Sequence, residues 1–118
     1  MSKADRLNRL DARRLELEAE YTTALVAALK VTASGKWGLF DHHGDRHTRT
    51  AVAPVIDNLD ELAQAIDGLR ETLSLPPFEL SREFTASRGP ADPQAVGEPK
   101  QALAWLERLA SSGAETGD

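Results

Sequence analysis

The chain contains no cysteine, which excludes disulfide staples, thiolate metal sites and thiol nucleophiles together and gives no reason to invoke an oxidising compartment. Long apolar runs are also missing. The longest, Ala24 to Leu29, is far shorter than the roughly 20 residues of a membrane span, and the opening MSKADRLNRLDARR lacks the apolar core of a secretory signal. Nor is there a surplus of positive charge: the net charge is −5, which argues against unaided nucleic-acid binding because neutralising phosphates takes a concentrated cationic face. The expected compartment is therefore the cytoplasm, with neither nucleic acid nor membrane as a partner. Aromatic residues are scarce, at 5%, so each large ring is a candidate for filling space between helices.

What the chain does have is the composition of an ordinary globular domain. At 118 residues, 41% hydrophobic and 28% charged, it is one domain large enough to bury a core without staples. No proline or glycine interrupts the stretch after Ser2 until Gly35, and Ser2 with Asp5 makes a capping pattern, so the first helix is expected to run to about Ser34. Its residues Leu7, Leu10, Arg14, Leu17, Tyr21, Ala24, Ala28 and Val31 step by threes and fours, forming a seam with Arg14 as its one charged member. Gly35 is the expected stop.

Beyond the first helix, Thr48, Thr50 and Val52 alternate as in an extended piece, and Pro54 suits the first turn of a helix equally well; the segment 46–56 is read as irregular or extended. Asn58 with Glu61 forms a capping box for a second helix whose stripe is Leu59, Leu62, Ile66, Leu69 and Leu73. Pro76 and Pro77 end it. Phe78, Leu80, Phe84 and Ala86 fit a period of two, yet Leu80 and Phe84 also lie one helical turn apart, and Pro77 favours a short helix. After the loop GPADPQAVGEP, Pro99 is expected to open a last helix with Ala102, Leu103, Leu106 and Leu109 on one face and Trp105 at its flank. The end, 111–118, reads as a disordered tail. These elements define an all-α fold, a small single-domain helical bundle over 1–110 with a long N-terminal helix and three shorter ones; residues 1–20 are a protruding half-helix in one version of this reading.

All three histidines fall in GKWGLFDHHGDRH, Gly35 to His47. Asp41, His42, His43, Asp45 and His47 supply enough ligands for a divalent metal, with His42, His43 and His47 the nitrogen donors. Adjacent histidines around Gly44 do not preorganise three convergent nitrogens, so no tightly bound metal and no cofactor are expected. Asp41-His42-His43 resembles the signature of the phosphoesterases named after those three letters. That family needs further aspartates at the ends of a parallel sheet in a chain several times longer, and the resemblance stops at these three residues. Trp37, Leu39 and Phe40 in the same loop are expected to fold inward.

No G-x-S-x-G elbow, phosphate-cradling loop or H-E-x-x-H pair occurs. Glu79 and Glu83, one turn apart, read as a solvated face before they read as a shared-proton pair. The expected function is a small non-catalytic interaction or regulatory protein of the adaptor, antitoxin or immunity kind, and of bacterial type. The candidate contact surface is the first half of the first helix, Leu7, Leu10, Arg14, Leu17 and Tyr21, covered by another protein or by a second copy. The alternative is a metal-dependent enzyme or sensor centred on the histidine loop. Neither reading assigns a catalytic residue.

Overall fold

A computed structural model describes residues 2–40, 46–88 and 98–116. Among these residues there are four helices: α1 (Lys3–Ala33), α2 (Arg46–Thr72), α3 (Glu79–Ser87) and α4 (Glu98–Thr116). The described residues are all-α, with no strand among them, and no described helix is long and apolar enough to cross a membrane.

α1 begins where the sequence places it. The Ser2 side chain accepts a hydrogen bond from the Asp5 N–H at 3.1 Å, satisfying one of the donors that a helix start leaves unpaired. It ends after Ala33, where Gly35 takes φ +84° and its N–H reaches the Thr32 carbonyl at 3.0 Å. That left-handed conformation costs glycine nothing. At the end of α2 the same region is occupied by Ser74, φ 59°, the one described non-glycine residue there.

α2 differs from expectation. It spans 27 residues and carries Pro54 inside it, so the stretch read as irregular is helical and Asn58 and Glu61 sit in the helix interior rather than at its cap. The reason is burial. Val52 is buried, and Val55 and Ile56 pack against the core, extending the stripe of Leu59, Leu62 and Ile66 backwards in helical phase. A proline here removes one i to i−4 hydrogen bond at a cost of about 3 kcal/mol; the full burial of Val52, worth about 1.5–3 kcal/mol, together with the partial burial of Val55 and Ile56 offsets it.

α3 is the short helix favoured over a strand. Phe78 stands at its N-cap and has no side-chain cap to offer; instead its N–H donates to Asp67 Oδ1 of α2 at 2.8 Å. The buried Ser81 hydroxyl donates to the Phe78 carbonyl at 3.0 Å. α4 is rotated relative to expectation: Ala102 and Trp105 are buried while Leu103 is 53% exposed. Turning the larger indole inward removes more apolar area than turning Leu103 inward would. The helix also continues through Ser111 to Thr116.

α1 is the spine. It packs against α2 on one side and α4 on another, and these are the extensive helix pairings among the described residues. α3 is fastened mainly by rings: Phe84 meets Phe40 edge-on at 6.0 Å and Trp105 at 5.9 Å. Leu39 and Phe40 are fully buried, and the Arg88 guanidinium donates to the Leu39 carbonyl at 2.6 Å, so the loop after α1 is drawn into the core as its apolar residues require. Trp37 is partly buried against the same cluster. The result is elongated, 53 × 32 × 21 Å with a radius of gyration of 16.1 Å, against roughly 13.5 Å for a compact chain of this length.

The exposed Pro54 provides a direct check of the helical assignment. Pro54→Ala restores a backbone donor in a helix interior and is expected to raise stability by up to about 3 kcal/mol, read as a higher denaturant midpoint with an unchanged slope. A drop in stability would mean that the segment is not helical.

Candidate functional site

The seam expected to meet a partner is split by the fold. Leu17 and Tyr21 are buried within the chain, which corrects their assignment to an outward contact surface. Leu7 and Leu10 are half-buried and, among the described residues, stand outside the core cluster. The division follows from how the helices overlap. α2 returns antiparallel to α1, and its last turn meets α1 at Glu18, where Arg70 docks. The 15 residues from Lys3 to Leu17 therefore extend about 22 Å past that level at 1.5 Å per residue. α2, at 27 residues, is longer than expected, and its extra length lies at the opposite end, beside the loop after α1.

Arg14, the charged member of the seam, is occupied inside the chain. Its Nε donates to Asp11 Oδ1 at 2.9 Å and its Nη1 to Glu18 Oε2 at 2.9 Å. Glu18 Oε2 also accepts from Arg70 Nε at 2.8 Å, and Arg70 Nη1 donates to the Pro76 carbonyl at 2.9 Å. The Arg70 guanidinium lies over the Phe78 ring, 5.4 Å from its centroid, and Phe78 meets Tyr21 edge-on at 5.3 Å. One carboxylate thus joins α1, α2 and the connection to α3. The hydrogen bonds to Asp11 and then Glu18 raise the pKa of Arg14 further, against the opposing effect of desolvation. Burial pushes the Tyr21 phenol up to about 12, with the Asp60 charge adding to it.

Two open clefts flank α3. One, of about 640 Å³, is lined by Arg70, Pro76, Pro77, Phe78 and Arg82 among others. The other, of about 570 Å³, lies between α3 and α4 beside Glu83, Gln101, Trp105 and Arg108. Arg108 pairs with Glu83 and stacks over Trp105 at 4.8 Å. Glu83 is consequently held by a cation while Glu79 is exposed. Leu15, 54% exposed on the outer side of α1, is a further apolar group in water.

Asp41, His42, His43 and Asp45 lie outside the described residues, and of His47 only the helical backbone at the start of α2 is described. Among the described residues no cluster of three or more His, Asp or Glu side chains is arranged to hold a metal. Sequence reasoning missed the second partner of Glu18: Arg70 is 52 positions away, and no local pattern signals that pairing. No protein-family model matches the chain, and no curated protein or solved structure is similar to it.

The network and the buried phenol each yield a measurement. Glu18→Ala leaves two partly buried guanidinium groups short of an acceptor and is expected to cost about 1–3 kcal/mol, whereas Glu16→Ala, which breaks the exposed pair with Arg13, should cost less than about 0.5 kcal/mol. Equal losses would show that Glu18 does not clamp the helices. Tyr21 is the sole tyrosine, so ultraviolet titration reads it alone. Its folded pKa of about 12 lies above the unfolded value near 10. The stabilising contribution is full below pH 10 and is lost as pH rises through 12, about 2–3 kcal/mol in all. Tyr21→Phe should flatten that alkaline decline, and a phenol titrating near 10 in the folded protein would overturn the assignment.

Proposed function

We propose that this chain is a small non-catalytic interaction or regulatory protein, cytoplasmic and bacterial, of the adaptor, antitoxin or immunity kind, which binds another protein or a second copy through the start of α1. The observation that carries the reading is the overhang. α1 continues about 22 Å past the level of the Glu18–Arg70 pair in the last turn of α2, and Leu7 and Leu10 on that stretch stand apart from the core that takes in Leu17 and Tyr21. Apolar surface of this kind is worth roughly 25 cal/mol for each Å² that a partner removes from water.

The surface is narrower than the full seam. Leu17 and Tyr21 support the fold, and Arg14 is a structural cross-link rather than a specificity device aimed at a partner. The working contact is Leu7 and Leu10 with the polar side chains that border them.

Sedimentation of the wild type and of a Leu7→Glu, Leu10→Glu variant, together with retrieval of partners from native lysate, tests this proposal. The expected result is association, with itself or with a retrieved protein, that the variant loses while its helical circular dichroism and melting temperature stay within a few degrees of wild type. A wild type that sediments as a monomer, retrieves nothing and behaves like the variant would refute it.

A further inference from the structure

The overhang has a charge pattern that identifies what covers it. Residues 3–17 carry five cations, Lys3, Arg6, Arg9, Arg13 and Arg14, against Asp5, Asp11 and Glu16. That is a net +2 in a chain of net −5, so the remaining residues hold −7; within the chain Arg13 pairs with Glu16 at the surface and Arg14 with Asp11 and Glu18. Arg6, Arg9 and Arg13 are all exposed and follow one another by three and four positions, which places them in one row along α1. Leu10 comes four residues after Arg6 and three before Arg13, so the apolar pair borders the cationic row.

The outer face of α2 has the opposite character. From Thr50 to Leu69 the chain contains no lysine or arginine. Asp57, Asp60 and Glu61 are exposed there, with the uncharged Gln64 and Gly68 beside them and Glu71 further along the same face. Neither α3 nor α4 makes an extensive contact with α2 among the described residues. Asp57 and Glu61 are one turn apart, about 6 Å, the same rise as from Arg9 to Arg13.

Within one copy the two surfaces cannot meet. Measured from the level of the Glu18–Arg70 pair, Arg13 to Arg6 lie about 7–18 Å toward one end of the molecule and Glu61 to Asp57 about 13–20 Å toward the other. We infer that the start of α1 docks on the outer face of α2 in a second copy of this chain, with Arg6, Arg9 and Arg13 opposite Asp57, Asp60 and Glu61 and with Leu7 and Leu10 covered at the contact. The inference rests on the proposal that the overhang is an interaction surface, and names its occupant. Opposite charges at the same one-turn spacing, Arg9 with Arg13 and Asp57 with Glu61, fix the pairing and its register, and a two-fold arrangement satisfies both contacts at once and closes the assembly at a dimer.

The test uses two charge-reversed full-length variants, Arg9→Glu with Arg13→Glu and Asp57→Lys with Glu61→Lys, all at exposed positions, with circular dichroism to confirm folding. The wild type should self-associate at low salt and weaken at least about tenfold by roughly 0.5 M salt, as the screening length shortens to a few Å. Each variant alone should be monomeric, and an equimolar mixture of the two should regain association of wild-type strength. Wild-type association is read independently of the variants, so a variant that fails to fold leaves the salt dependence as the deciding measurement. A mixture that stays monomeric, or association that is insensitive to salt, overturns the inference. If Leu7→Glu with Leu10→Glu abolishes association but Asp57→Lys with Glu61→Lys leaves it unchanged, the overhang is an interaction surface and α2 is not its site. If the wild type binds vesicles of phosphatidylserine or duplex DNA through the arginine row and remains monomeric, the row serves a phosphate ligand and the inference is wrong.

Discussion

α1 is the element that α2 and α4 both pack against, and the Glu18 carboxylate is the point at which that shared packing acquires a register. A helix with apolar residues on two faces can slide against its neighbours by a turn without losing much buried area. Glu18 removes that freedom, because its Oε2 accepts at once from Arg14 on its own helix and from Arg70 on α2. Arg70 in turn holds the Pro76 carbonyl and covers Phe78, so the position of α3 depends on the same carboxylate. Side-chain exposures of 13% to 17% for Arg14, Glu18 and Arg70 place these charges where water screens them less than it screens the surface pairs.

That register also decides which apolar residues are available for anything else. With Arg70, in the last turn of α2, docked at Glu18, Leu17 and Tyr21 lie within a turn of that level and are buried, and Leu7 and Leu10 lie two to three turns before it. A slip of one turn toward the start of α1 would shift about four residues from one class to the other. The proposed interaction surface is thus a by-product of where two long helices stop overlapping, and its cationic border and the acidic face of α2 are kept apart by the same offset.

Aromatic residues, although few, do much of the joining. Phe40, Phe84 and Trp105 link the loop after α1, α3 and α4 through edge-on contacts, and Tyr21 with Phe78 links α1 to the start of α3. The nine-residue α3 has too little length to hold itself by helix packing, and each ring buries more area than an aliphatic side chain would. The inward turn of Trp105 belongs to this arrangement, since it places the indole against Phe84 and leaves Leu103 in water.

The all-α class, the extent of α1 from Ser2 to Gly35, the stripe Leu59, Leu62 and Ile66, and the inward fate of Leu39 and Phe40 were determined by the sequence alone, because each follows from a local rule: a cap, a left-handed glycine, a helical period, a ring that needs cover. The helical state of 46–56 was not determined that way. Pro54 and the alternating threonines are local signals against it, and the burial of Val52, Val55 and Ile56 against distant residues overrides them. The division of the α1 seam was likewise a tertiary decision. Leu7, Leu10, Leu17 and Tyr21 are equivalent in period and character, and the fold separates them through where α2 returns, a position fixed by a carboxylate and a guanidinium 52 residues apart.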